Sequence, residues 1–264
     1  MKRIMVFLVL LLVIPSVSQA EKIESPLKME ELSIKILPEF AYHPLDQEEK
    51  HAPLLIGYQG TLVNTLDHSI KGKIEIPLPM KEKNFRIGYV ADYSSDLTQK
   101  HEIEYEVDQQ KGTISWITSE EIKPQQRYKF IIEFYTDSLN VKKEKRTLAY
   151  QFTSFADTGL VTISIMGPYK AKDMRLTPPP PQTHGDDKNT FNYYFQDMKA
   201  GEKKSLTLTY NRSETIPTME LMKDKSSGNA KSKQNYVVIG SFSGIGLLMA
   251  GSLLILLKKR KIRD

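Results

Sequence analysis

Apolar residues follow two different patterns along this chain. At the ends they are consecutive, over Ile4–Val17 and Val237–Leu257, whereas between residues 30 and 210 they alternate with polar ones. Leu32-Ser33-Ile34-Lys35-Ile36, Lys73-Ile74-Glu75-Ile76, His101–Val107, Tyr128–Phe134 and Ser205–Tyr210 each show period two. Such alternation buries one face of a strand and leaves the other in water. In His101–Val107 it sends Ile103, Tyr105 and Val107 inward and Glu102, Glu104 and Glu106 outward. Turn residues interrupt these runs at short intervals, and no helical period appears between the two ends. The pattern predicts an all-β protein of antiparallel sandwich type.

The alternation also repeats. Ile122-Lys123-Pro124 leading to Phe130, Ile132 and Phe134 matches Met198-Lys199-Ala200 leading to Leu206, Leu208 and Tyr210 at one constant spacing. Thr113-Ile114-Ser115-Trp116 matches Thr190-Phe191-Asn192-Tyr193, Ile74 and Ile76 match Ile163 and Ile165, Phe85-Arg86-Ile87 matches Met174-Arg175-Leu176, and Tyr58-Gln59 matches Tyr150-Gln151. A repeated supersecondary unit accounts for this. The expectation is two tandem antiparallel β-sandwich modules, residues 21–140 and 141–211; one larger sandwich is the alternative.

Ile122-x-Pro124-x-x-x-Tyr128-x-Phe130-x-Ile132 resembles the corner before strand F of fibronectin type III and immunoglobulin-like modules. The resemblance implies that the Tyr128 ring joins the core while its hydroxyl bonds back to corner backbone. It covers about a dozen residues and bears on fold, not on family. The only Trp, Trp116, stands on a different strand from the one that family uses, and Lys204 replaces the tyrosine in the second repeat, so that corner lacks a hydroxyl latch.

The apolar ends set the address. Lys2 and Arg3, a short apolar run and Ser18-Gln19-Ala20 form a cleavable signal peptide, residues 1–20; an uncleaved anchor is the alternative. Val237–Leu257 carries no charge, and as a helix it spans roughly 31 Å, the thickness of a bilayer core. Tyr236 suits the interface, and the basic tail Lys258–Arg263 marks the cytoplasmic side. A transmembrane helix is therefore expected at 236–257, a tail at 258–264 and a polar flexible stalk at 212–235. Within the helix, Gly240 and Gly244, and Gly246 and Ala250, make small-residue pairs at a spacing that lets helices pack closely. They are candidate contacts to a membrane-protein partner or to a second copy.

The formal charge of +5 suggests nucleic acid until it is divided. The leader and the tail hold the excess, the rest is close to neutral, and no basic field remains to attract phosphate. The absence of Cys excludes lipid attachment and disulfides, so an exported domain must depend on its core.

Catalytic chemistry finds no constellation. The five histidines are scattered, and neither Asp186-Asp187 beside His184 nor the Glu102/Glu104/Glu106 row requires a ligand. No cofactor or metal is expected. Thr177-Pro178-Pro179-Pro180-Pro181 is a stiff, pre-ordered stretch that could dock a partner through Pro179 and Pro180 or simply connect strands. Phe191–Gln196 is aromatic on both faces: with Phe191, Tyr193 and Phe195 inward, Tyr194 stands out beside Asn192 and Gln196 as a candidate contact, unless it packs on the proline loop. The expected function is a non-enzymatic single-pass membrane protein that presents an extracytoplasmic binding or scaffolding surface, a candidate accessory subunit of a membrane complex. A carbohydrate- or wall-binding module is the second reading and an extracytoplasmic hydrolase the third.

Overall fold

The structure, a computed structural model, describes residues 26–43, 46, 51–183 and 189–227. The signal peptide, the membrane segment with Gly240, Gly244, Gly246 and Ala250, the tail, and His184 with Asp186-Asp187 lie outside the described residues. Among the described residues no helix is long and apolar enough to cross a membrane.

The first half of the described chain holds β1 (Leu27–Leu37), β2 (Leu54–Asn64), β3 (Lys73–Pro77), β4 (Arg86–Tyr93), β5 (Lys100–Glu102), β6 (Glu106–Asp108), β7 (Thr113–Ile117) and β8 (Arg127–Thr136). The second half holds β9 (Leu139–Lys142), β10 (Lys145–Thr153), β11 (Thr158–Met166), β12 (Lys172–Thr177), β13 (Gln182–Thr183), β14 (Thr190–Met198) and β15 (Lys203–Asn211), followed by helix α1 (Thr218–Ser227). They form three sheets, ordered β13-β14-β11-β1-β2-β8-β4-β5, β12-β15-β10-β9 and β3-β7-β6. The all-β expectation therefore holds.

One apolar cluster unites all three sheets. Leu32, Ile34, Phe130 and Ile132 of the large sheet lie with Ile74, Ile114 and Trp116 of the three-stranded sheet and with Leu148, Phe152 and Leu208 of the four-stranded one. Edge-on ring contacts mark the seams: Tyr58 with Phe152 at 6.4 Å and Trp116 with Phe130 at 5.4 Å. The large sheet is thus one layer and the two smaller sheets share the other. The residues of β1 predicted inward, Leu32, Ile34 and Ile36, are all fully buried.

The pairing pattern repeats between the halves. β2-β8-β4 and β3-β7-β6 in the first correspond to β10-β15-β12 and β11-β14-β13 in the second. Ile74 pairs with Trp116 and Ile76 with Ile114, as Ile163 pairs with Tyr193 and Ile165 with Phe191. Even an irregularity recurs: β4 shifts register between Ile87 and Tyr89 against β8, and β12 between Lys172 and Arg175 against β15. Two of the sequence matches are displaced. With Ile132 paired to Tyr58 and Leu208 to Leu148, the counterpart of Tyr58 is Leu148, not Tyr150. A two-residue slide keeps every side chain on its face, so apolar matching cannot detect it. Arg86 pairs with Tyr135 as Lys172 pairs with Asn211, so Arg86 answers to Lys172, not Arg175; the bulge shifts the phase there.

The halves also interlock. β1 pairs antiparallel with β2 and parallel with β11, so one continuous sheet runs through both. The strand order differs from the immunoglobulin one, in which the fifth strand of the module lies beside the second. Here β2 lies between β1 and β8, the last strand of its half.

Two further expectations change. His101–Val107 is not one strand: β5 ends at Glu102 in the large sheet and β6 begins at Glu106 in the other layer, and Tyr105 and Val107 are 41% and 39% exposed. The chain crosses between layers there, so the alternation has no single sheet to face. The expected stalk is also docked at its start. Arg212 is 1% exposed, and α1 begins with the backbone N–H groups of Thr218 and Met219 donating to the carbonyls of Glu39 and Phe40 at 2.9 and 3.0 Å. Those bonds satisfy two of the donors that a helix start leaves open.

Candidate functional site

The layer of two small sheets leaves a groove of about 430 Å³ between them. Its floor is Leu54, Ile56 and Tyr58 of β2. One wall is β10 from Leu148 onward, continuing to Phe155; the other is Pro77, Leu78 and Pro79 at and just past the end of β3, with Thr136 and Ser138 at one end. Glu82 is its only charged lining residue, and its carboxylate accepts from the Ser138 hydroxyl at 2.8 Å.

Among the described residues the wall on β10 is an open strand edge. β9 covers β10 over Lys145–Leu148 only, because β8 ends at Thr136 and only two residues separate it from β9. The other side of β10 carries β15 along its whole length, and the ladder is closed at its two ends by Ser154 N–H donating to the Glu202 carbonyl at 2.8 Å and Arg212 N–H to the Glu144 carbonyl at 2.8 Å. Those bonds fix the phase of the ladder: even-numbered residues of β10 face β15, and the backbone groups of Ala149, Gln151 and Thr153 face the groove. Opposite them, Pro77 and Pro79 offer no N–H.

Tyr58 of the floor and Tyr150 of the β10 wall bring two ring hydroxyls to the groove. Burial pushes Tyr58 up to about 12, an effect that the neighbouring Tyr150 hydroxyl opposes, and pushes Tyr150 well above the usual tyrosine range. The Tyr150 hydroxyl sits near that of Tyr58 without full hydrogen-bond geometry, which leaves a buried neutral donor where wall and floor meet.

The residues proposed from sequence lie elsewhere. Tyr194 is 48% exposed on the outer face of β14; Gln196 is exposed, and Asn192 accepts from the Ser164 hydroxyl at 2.6 Å. Tyr193, on the opposite face, is buried, and its hydroxyl donates to the Pro178 carbonyl at 2.7 Å. Tyr193, not Tyr194, therefore anchors the proline loop. Pro179 is exposed and Pro180 half-buried. The structure does not bring Tyr194 and the prolines into one site.

Sequence reasoning missed two buried polar clusters. In the first, the Glu39 carboxylate meets Arg146 at 3.1 Å, Arg212 at 3.3 Å and the Tyr210 hydroxyl at 2.7 Å. Arg212 also donates to the carbonyls of Tyr169 at 3.1 Å and Glu214 at 3.2 Å, and Arg146 to the Lys143 carbonyl. Glu39, Arg146 and Arg212 are each 3% exposed or less, so this enclosed cluster locks the start of α1 onto the end of β1. In the second, Trp116 Nε1 donates to the Tyr128 hydroxyl at 2.8 Å, which donates to Asp92 at 2.9 Å. Tyr128 thus joins the core as the resemblance implied, but its hydroxyl latches onto a carboxylate and not onto corner backbone. Among the described residues no group of acidic and histidine side chains could hold a metal ion.

No family model and no curated protein matches this chain. Among solved structures it is similar to one described as a "putative nutrient binding protein" from Legionella pneumophila subsp. pneumophila strain Philadelphia 1. The two share 15% identity, over 69% of this chain and 67% of that one, at a TM-score of 0.44.

Proposed function

We propose that this chain is a non-enzymatic binding or scaffolding protein, held by a C-terminal membrane span with its β-sandwich outside the cytoplasm. Its binding surface is the groove between β10 and the Pro77–Pro79 segment. A single observation carries the reading: an apolar-floored groove of about 430 Å³ is walled by an unpaired strand edge. Open edges are templates for pairing with another chain. The finer organisation into two tandem modules belongs to the same reading, supported by the repeated strand pairing.

The test is co-purification of the full chain from detergent-solubilised membranes. Ser138→Trp, which fills one end of the groove, abolishes partner recovery if the reading holds; Tyr194→Ala leaves it unchanged. Recovery that survives Ser138→Trp sinks the groove as the binding surface. Gly244→Leu asks separately whether the membrane helix contributes.

The exposure of Tyr194 beside Gln196 favours a second reading, carbohydrate or wall binding through the outer face of β14. Exposed aromatic rings can stack on sugars, and saturable wall binding lost in Tyr194→Ala would select it.

A further inference from the structure

The repeat within the fold says what the groove is shaped to hold. In the first half β1 runs the whole length of β2: Leu37 pairs with Leu55 at one end and Leu27 with Asn64 at the other. In the second half β9 stands where the last part of β1 stands, since Leu139 pairs with Leu148 as Ile34 pairs with Tyr58. Among the described residues the counterpart of the rest of β1 is absent, because the chain before Leu139 is already committed to β8. On β2, the positions equivalent to Ala149, Gln151 and Thr153 are Gln59, Thr61 and Val63, and these pair with Ser33, Glu31 and Lys28 of β1. The open edge of β10 is therefore the place of a missing strand.

Resting on the reading above, we propose that this groove accepts one extended β-strand from a partner polypeptide. The strand runs antiparallel to β10 and in line with β9. Its backbone bonds to Ala149, Gln151 and Thr153 across the gap, as β1 does to β2. Its alternate side chains are apolar and drop onto Leu54, Ile56 and Tyr58, in the manner of Met29 and Leu32, which are buried in the equivalent setting. The prolines on the far wall supply no N–H at positions 77 and 79, so the incoming strand is bonded chiefly on one side. Backbone bonds supply affinity and the alternate side chains supply selectivity, as in strand addition generally.

The chain contains the probe for the test. A synthetic peptide of residues 27–33, the part of β1 that has no counterpart in the second half, is titrated into the full-length protein in detergent and followed by fluorescence anisotropy. Saturable binding is expected, with none for a scrambled peptide of the same composition. Gln151→Pro removes one edge N–H at an exposed position and weakens binding by roughly tenfold or more without altering the circular dichroism spectrum. Register is read by cross-linking, since the protein has no Cys of its own. A Gln151→Cys protein forms a disulfide with a peptide carrying cysteine at position 31 in preference to position 28, by analogy with the Thr61–Glu31 and Val63–Lys28 pairs.

Equal cross-linking at both positions, or no binding to the folded protein, overturns the proposal. A Gln151→Cys dimer formed in place of the peptide adduct also overturns it, in favour of a second copy of the chain. If peptide binding fails while partner recovery still depends on Ser138, the strand idea alone has failed and the groove reading stands. If neither depends on the groove, both have failed.

Discussion

The Tyr193 hydroxyl donates to the Pro178 carbonyl at 2.7 Å, and in doing so takes the place of a longer relay in the first half. Tyr193 pairs with Ile163 as Trp116 pairs with Ile74, so the two rings are equivalents. Trp116 reaches Asp92 through the Tyr128 hydroxyl, whereas Tyr193 reaches the end of β12 directly. With Lys204 where a second Tyr128 would stand, and its ammonium 4.9 Å from the Phe195 ring, the shorter bridge suffices.

The two bridges should fail differently. Tyr193→Phe loses one neutral hydrogen bond and should cost about 1 kcal/mol. Tyr128→Phe strips both a donor and an acceptor from a buried relay that ends on a carboxylate, and should cost about 2–3 kcal/mol. Urea denaturation of the two variants checks the order; equal losses would refute the relay.

The Glu39 cluster yields a second prediction. Glu39→Ala leaves Arg146 and Arg212 buried without a counter-charge, and the expected loss is about 3–5 kcal/mol. Tyr210→Phe removes a single charge-assisted bond, at a cost of about 1.5–3 kcal/mol. Because the cluster holds α1, limited proteolysis near residues 218–227 should accelerate in Glu39→Ala more than in an equally destabilised core variant such as Ile163→Ala.

Stability should fall with rising pH through one side chain. Glu133 is 2% exposed; burial pushes its carboxyl up to about 8, with Lys100 and Lys35 opposing that rise. A carboxyl raised in the folded state stabilises fully below its unfolded value near 4.5, and the contribution is lost as pH climbs towards 8. Thermal melts should therefore show a decline between those limits that Glu133→Gln flattens. At pH 8 the glutamine variant should be more stable than the parent by about 1–3 kcal/mol.

Gly60 is held by sterics. A Cβ there would lie 2.2 Å from the Phe130 ring, and its pair on β8 is Phe130 itself. Gly60→Ala should destabilise by about 1–3 kcal/mol. Adding Phe130→Leu should recover part of that loss despite its own cost, which a double-mutant cycle would reveal as favourable coupling.

The sequence was legible where a feature depends on near neighbours along the chain. Strand existence and facing follow from period two, so Leu32, Ile34 and Ile36 are buried as predicted. The repeat was visible because equivalent strands need the same alternation, and its β3/β11 and β7/β14 alignment matches the pairing residue for residue. The β2/β10 alignment was two residues out because two residues restore the same face. Glu39, Arg146 and Arg212 could not be seen together, since Arg146 stands in the charged run Lys142-Lys143-Glu144-Lys145-Arg146 and Arg212 opens the expected stalk; only burial makes them partners.

By itself, then, the sequence determined the all-β class, the inward face of strands such as β1 and the recurrence of one alternation pattern, all of which are set by local alternation and spacing. Only the tertiary structure decided that β1 crosses to β11 and joins the halves into one sheet. It also decided that β9 is cut short by the approach of β8, and that an unpaired edge of β10 is left beside an apolar floor. Which strand edges meet is a matter of long-range contact, and no residue on β10 signals that its neighbour is missing.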